Sequence, residues 1–298
     1  MADAPELPSE VSLASTAPTA VSQAVLANLV RVRPSVAQAN IPALSAAYKT
    51  MQGRTPTDNR SWIYWAEYHG FNRFDCWHHS SQGNHQFSYD LFLPWHRAYL
   101  HYFEQVALTA NSGAVLPWWD WTSAVSHHSG IPASFAAAQT GGQPNPLASG
   151  PVPAGVHANP PHTTRAPGSP SQLPTAAGIN AILALSSFDD FTSQVQNQHD
   201  AVHGWCGGDM GVISSSAFDP IFWSHHCMID RLWYLWQVRH GVENIPPAYL
   251  TRTLAPWAMT VADVLDVRKL GYTYGTAAVR LPVENFAAQA LPAAQATS

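Results

Sequence analysis

The sequence predicts a mainly helical protein, and three observations carry that expectation. Apolar residues recur at helical spacing in six separate runs. Residues that start or stop helices stand at the edges of most of these runs. Across 298 residues, 46% are apolar and 11% charged, enough for one large core with a lightly charged surface.

Taken in order, residues 1 to 20 are rich in Ala, Pro and Ser and read as a flexible N-terminal segment. The run "TAVSQAVLANLVRVRPS" has helical spacing until Pro34 interrupts it. "IPALSAAYKTMQ" forms a second run ending at Gly53, and "DNRSWIYWAEYHG" a third, with Asp58 or Asn59 as its cap and Gly70 as its stop. A fourth begins at Pro94 in "LPWHRAYLHYFEQVALTA", where Trp95, Tyr99, Tyr102, Phe103 and Val106 share helical spacing. Residues 140 to 176 are loop by composition. Two further helices run through "FDDFTSQVQNQHDAVHGW" and "DPIFWSHHCMIDRLWYLWQVRHG", and the Ala-rich tail after about residue 276 reads as peripheral.

Several classes are disfavoured. The net charge is −5, from 14 Lys and Arg against 19 Asp and Glu, and no basic run points to nucleic acid. No apolar stretch is long enough to span a membrane. The N-terminus lacks a basic start followed by an apolar run, so the expected location is the cytoplasm, or outside the cell in the company of an exported partner. Cys76, Cys206 and Cys227 are too few, and odd in number, for a disulfide framework.

The chain is instead rich in histidine, with 15, and in tryptophan, with 12. His199 and His203 are four apart, so on a helix both imidazoles face one side and can share a metal. The pair alone is a weak signal, and a zinc-protease reading fails because position 200 is Asp where HExxH needs Glu. His225 and His226 lie in the next helical run, and Asp230, one turn on, either fixes an imidazole tautomer or pairs with Arg231 or the backbone. The first half repeats the inventory with His69, His78, His79, His85 and His96. Sites built only from histidine suit copper, zinc or iron rather than magnesium or calcium.

"HDAVHGWCGGDMG" followed by "SAFDPIFWSHHCMIDRLWYLWQ" resembles the second-copper region of the tyrosinase, catechol oxidase and hemocyanin family. "FLPWHRAYLHYFE" resembles the end of the first-copper region, "VRVRP" the N-terminal arginine motif and "LGYTYG" the closing tyrosine motif. The resemblance covers about residues 30 to 276. It implies a tyrosinase-like dicopper domain over residues 21–298, built on a four-helix core with long loops, holding two copper ions with O2 as co-substrate. Larger relatives carry a C-terminal lid domain; with about two dozen residues after "LGYTYG" none is expected here, and because each half supplies only half a site the 140 to 176 stretch is expected to be a surface loop. The resemblance assigns His199, His203 and His226 to the second copper, with His225 as a neighbour, and His69 and His96 to the first. The middle ligand of the first copper is open. The family's usual position, nine before His96, is Phe87, which leaves His85, or His78 in a "CWH" motif whose Cys76 can form a thioether.

The same resemblance implies a copper phenol oxidase acting on o-diphenols, with monophenol hydroxylation as a further activity. Aminophenol oxidation and hemocyanin-like O2 binding are the alternatives. Three positions bear on substrate choice: Asp200 as a proton acceptor, Asp190 at the family's water-ordering position, and Ile213 as the residue gating the copper. Gly204 offers no side chain to steer a substrate. The expected partners are a small phenol and a copper-loading helper protein.

Overall fold

The computed structural model describes residues 30–70, 85–157 and 161–275, with the side chains of 85–90 outside the description. Five helices organise these residues: α1 (Ile41–Gln52), α2 (Trp62–Ala66), α3 (His85–Ala110), α4 (Phe188–Cys206) and α5 (Pro220–His240). Four short strands accompany them: β1 (Arg31–Arg33), β2 (Gln139–Thr140), β3 (Gln143–Pro144) and β4 (Tyr272–Tyr274). The protein is thus mainly helical, as expected, and α3 is the hub that packs against α1, α4 and α5.

Local chemistry sets the helix ends. The Asn40 side chain accepts from Ala43 N–H at the start of α1, and Gly53 N–H donates back to the Lys49 carbonyl at its end. Ser187 caps α4, with Asp189 and Asp190 placing negative charge on its first turn. Asp219 caps α5 immediately before Pro220, whose missing N–H is tolerated at that position.

Three expectations are corrected. The cap of α2 is Ser61, which accepts from Tyr64 N–H, because Asp58 is occupied by Arg54 and Arg60. α3 begins at His85 rather than Pro94; the proline removes one backbone donor without ending the helix. In the run before Pro34, Arg31–Arg33 form a strand, and the residues before 30 lie outside the described residues.

That strand matters because β1 pairs in parallel with β4, in register Arg31↔Tyr272 and Arg33↔Tyr274. The pairing delivers Arg33 into the interior, where its guanidinium bonds Glu104 of α3 at 2.9 Å and Asp230 of α5 at 3.1 Å. Arg97 of α3 binds the other oxygen of Asp230, and the hydroxyls of Tyr272 and Tyr274 donate to Asp230 as well. Asp230 therefore neither orients a histidine nor pairs with Arg231, whose guanidinium lies over Trp118. Burial alone pushes the Asp230 carboxyl up, but Arg97, Arg33 and the two tyrosines outweigh it and hold the group below the usual carboxylate range.

The 140 to 176 stretch is not a free surface loop. Leu147, Val152, Thr163 and Leu173 are buried. Its backbone closes the C-terminus of α4: Ala166 N–H donates to the Cys206 carbonyl and Gly168 N–H to that of Trp205. Arg165 then reaches Asp219, the cap of α5, at 2.9 Å. The excursion straps the end of one long helix to the start of the other.

Asp230→Ala leaves two buried arginines without their shared anion, and urea denaturation should show a loss of about 3–5 kcal/mol. The folded carboxyl titrates below its unfolded value, so its stabilisation is present above about pH 4 and is lost as pH falls through the folded pKa. Asp230→Asn should therefore flatten the acid limb of stability against pH while lowering the plateau.

Candidate metal centre

Six imidazoles converge between α2, α3, α4 and α5. His69 follows α2 in a turn ended by Gly70, His96 projects from α3, His199 and His203 share one face of α4, and His225 and His226 come from α5. All six are nearly or fully buried, with His203 the most exposed at 9%. Two groups of three offer ring nitrogens within 4.8 Å of one another: His69, His96 and His226, and then His199, His203 and His225. His226 stands between them, because its Nε2 also lies 3.1 Å from His199 Nε2 and 3.3 Å from His203 Nε2. Its ring stacks on His96 at 4.3 Å between centroids.

The protonation state follows from what each Nδ1 faces. His69 Nδ1 meets the Ile213 carbonyl at 3.1 Å, His96 Nδ1 the Phe92 carbonyl at 2.8 Å, and His203 Nδ1 the Met210 carbonyl at 2.6 Å. A carbonyl only accepts, so the proton sits on Nδ1 in each case, and it is Nε2 that offers the lone pair of the neutral ring to a metal. His199 Nδ1 is held the same way by the Asp200 carboxylate at 2.9 Å. Burial first, and then the neighbouring histidines, push His225 and His226 well below the ordinary imidazole range, so both are neutral. His226 Nε2 lies within hydrogen-bond reach of both His199 Nε2 and His203 Nε2, so a proton on His226 Nε2 joins the three nitrogens without a cation, and the same three nitrogens converge on a cation when it replaces that proton. This donor set fits copper: neutral nitrogen ligands, no carboxylate in either group, and tautomers fixed by outer partners.

His69, His96, His199, His203 and His226 are brought together. His225 stacks on His199 at 5.1 Å, with both ring nitrogens lacking a hydrogen-bond partner among the described residues. Cys76, His78 and His79 lie outside the described residues. His85 opens α3 eleven residues before His96, so its backbone is about 16 Å further along the helix axis.

Asp200, Gly204 and Ile213 line a pocket of ≈ 300 Å³ together with His69, His199, His203, Met210, Gly211 and Ser216. Burial pushes the Asp200 carboxyl up to about 6. Asp190 does not join them: it sits exposed in the first turn of α4 and is not part of the pocket wall. The sequence reading missed the carbonyls of Phe92, Met210 and Ile213, which no side-chain pattern announces. It also missed Phe222, whose ring lies 4.1 Å from His226 and 4.7 Å from His69. The position of Phe222, one turn before His226, was the available signal.

A helical core whose facing helices close two groups of buried imidazoles defines a dinuclear metal protein with nitrogen ligands. The chain belongs to the tyrosinase family: residues 59–239 match the common central domain of tyrosinase. Tyrosinase of Streptomyces antibioticus is 31% identical over 61% of this chain and 78% of that protein, and tyrosinase of Streptomyces lincolnensis 32% identical over 59% and 76%. Among solved structures, a functional unit of Octopus hemocyanin matches with a TM-score of 0.68 at 23% identity, covering 83% of this chain and 68% of that one. Tyrosinase from Burkholderia thailandensis matches with a TM-score of 0.68 at 22% identity, covering 83% and 74%, and both share the fold. The protein is an oxidoreductase of the tyrosinase type, with a dinuclear copper cofactor and O2 as co-substrate.

Gly70 is the local weak point of the centre. Its φ is +80°, and an added Cβ would sit 3.0 Å from Ile213 Cγ2, beside the carbonyl that orients His69. Gly70→Ala should destabilise the fold by about 1–3 kcal/mol in chemical denaturation, through backbone strain and displacement of Ile213.

Proposed function

We propose that this protein oxidises o-diphenols to o-quinones in the pocket beside His69, His199 and His203, as a copper phenol oxidase. The observation that carries the reading is the convergence of tautomer-fixed imidazoles on the floor of an open pocket. His199, His203 and His226 hold the second copper, with His225 as a packing neighbour. His69 and His96 hold the first. Its middle ligand falls to His78, since α3 carries the His85 backbone too far along its axis to share an ion with His96.

The pocket volume of ≈ 300 Å³ suits a single aromatic ring. Ile213, 39% exposed, forms an aliphatic edge on which the ring packs, and Gly204 leaves the wall open, with nothing within 4 Å of where its Cβ would be. The Asp200 carboxylate, 45% exposed, keeps the proton of His199 on Nδ1 and is the acceptor for the proton of the phenol hydroxyl. Phe222 closes the inner side of the imidazole cluster against water. The copper pair, when bound, supplies O2 binding and the two-electron oxidation. Overall, two diphenols release four electrons and four protons, and one O2 becomes two waters. Monophenol hydroxylation is a second activity of the same pocket, for which an open wall gives a bulkier approach room. A separate helper protein that loads copper has access to the same opening.

Oxygen uptake by copper-loaded protein, with catechol and tyrosine in parallel, tests the reading. Uptake with catechol is expected, and the tyrosine arm reports hydroxylation. Two bound coppers with no uptake on either phenol would instead support O2 carriage. His226→Ala should reduce bound copper and abolish uptake, whereas His225→Phe should retain both coppers. Loss of copper from the His225 variant alone would reverse the assignment of the pair.

A further inference from the structure

His203 is aimed by a carbonyl, and that carbonyl stands on a segment that cannot hold itself. Met210 belongs to a single 3-10 turn, Gly208–Gly211, between α4 and α5. What fixes the turn is the residue before Met210. Asp209 N–H donates to the Thr164 carbonyl at 2.9 Å. One oxygen of its carboxylate accepts from Thr164 N–H at 2.7 Å and from the Thr164 hydroxyl at 3.2 Å. The other meets His157 Nε2 at 3.0 Å. The Asp209 main-chain carbonyl, which a side-chain substitution leaves in place, accepts from Val212 N–H and the Ser215 hydroxyl.

The approach is close enough to require two glycines. Gly207 and Gly208 have φ of +60° and +54°, and a Cβ on Gly208 would lie 2.3 Å from the Thr164 carbonyl oxygen. Asp209 is 5% exposed, lies outside the pocket wall and touches none of the six imidazoles. Its carboxylate acts on the turn and on nothing nearer the ions.

We propose that Asp209 is a positioning residue for the second metal ion. By clamping the proline-rich excursion to the 208–211 turn, it holds the Met210 carbonyl against His203 Nδ1 and keeps the His203 Nε2 lone pair directed at His199 and His226. This rests on the reading of His199, His203 and His226 as one ligand set. It gives the excursion a role in the chemistry: the strap that closes α4 also sets the aim of a ligand at the far side of the same turn. A purely structural Asp209 would affect both ions alike through the fold; a positioning one affects the second ion alone.

The test titrates metal-free protein with zinc(II) and with copper(II) by calorimetry, so no turnover is needed, alongside thermal melting. Wild type should take two ions. With the step lost in His203→Ala taken as the second, Asp209→Ala should leave the first binding step unchanged and weaken the second by about ten-fold or more. Asp209→Asn keeps an acceptor for Thr164 N–H and should restore most of the second step. His157→Ala, on the half-exposed flank, should fold even if Asp209→Ala does not, and should weaken the second step to a smaller degree. Leu147→Ala, buried in the same excursion away from the turn, should lower the melting temperature with both steps intact. The proposal is overturned if Asp209→Ala or His157→Ala leaves the second step at its wild-type affinity, or if both steps fall together. Failure of wild type to bind two ions would overturn the dicopper reading itself, an outcome separate from either of these.

Discussion

A carboxylate almost wholly withdrawn from water organises this molecule. Asp230 is 4% exposed and is shared by Arg33, Arg97, Tyr272 and Tyr274, which come from β1, α3 and β4. A buried charge of this kind is tolerated only when every partner is present in good geometry, so it acts as a registry device: α3, α5 and the β1–β4 ladder have one relative placement that satisfies it. Arg97 directly follows His96, and Asp230 lies one turn beyond His226. The placement that satisfies the ion cluster is therefore also the one that stacks His96 on His226. The geometry of the metal centre is inherited from an electrostatic constraint one helical turn away.

The second half of the centre is positioned largely by backbone. α4 presents His199 and His203 on one face, and their tautomers are set by the Asp200 carboxylate of the same helix and by the Met210 carbonyl beyond its end. His69 is not in a helix at all; it depends on a turn ended by Gly70 and on the Ile213 carbonyl. Met210 and Ile213 both belong to the short connection between α4 and α5. The thirteen residues between α4 and α5 thus supply two of the acceptors that hold a proton on Nδ1, and several of them form part of the pocket wall. Altering that connection changes ligand orientation and substrate access together.

The parts of this arrangement that were legible in the sequence are those with a period or a motif. Helical spacing placed α1, α4 and α5 closely, because caps and glycines coincided with the ends of their apolar stripes. The pairing of the arginine and tyrosine motifs was visible only as two separate motifs, since nothing local predicts that residues 31 to 33 and 272 to 274 are strand neighbours. The Asp58 cap failed because two arginines compete for that carboxylate, which propensity cannot register. The proline-rich excursion looked like a surface loop because its contribution is made by main-chain N–H groups, and composition says nothing about where those point. Asp190 was matched to the family's water-ordering position by resemblance, yet a continuous helix separates it from His199 by about 13 Å of rise.

A cluster of six buried imidazoles gives up the hydration it has in the unfolded chain, and the His225 nitrogens are left without a partner among the described residues. It therefore has to be built on the part of the chain with the most stability in reserve. The environment answers that need. α5 is buried along nearly its whole length, and Trp62, Trp65, Trp95, Trp119, Trp121, Trp223, Trp233 and Trp236 are almost completely inaccessible around the helices that carry the ligands. Their large rings bury more apolar area per residue than aliphatic side chains do, and they resist repacking. The tryptophan content that accompanied the histidines in the sequence has the same origin as the metal site: a rigid aromatic frame keeps the lone pairs in place while metal is absent. Binding of the two ions then adds to stability by mass action rather than reshaping the site.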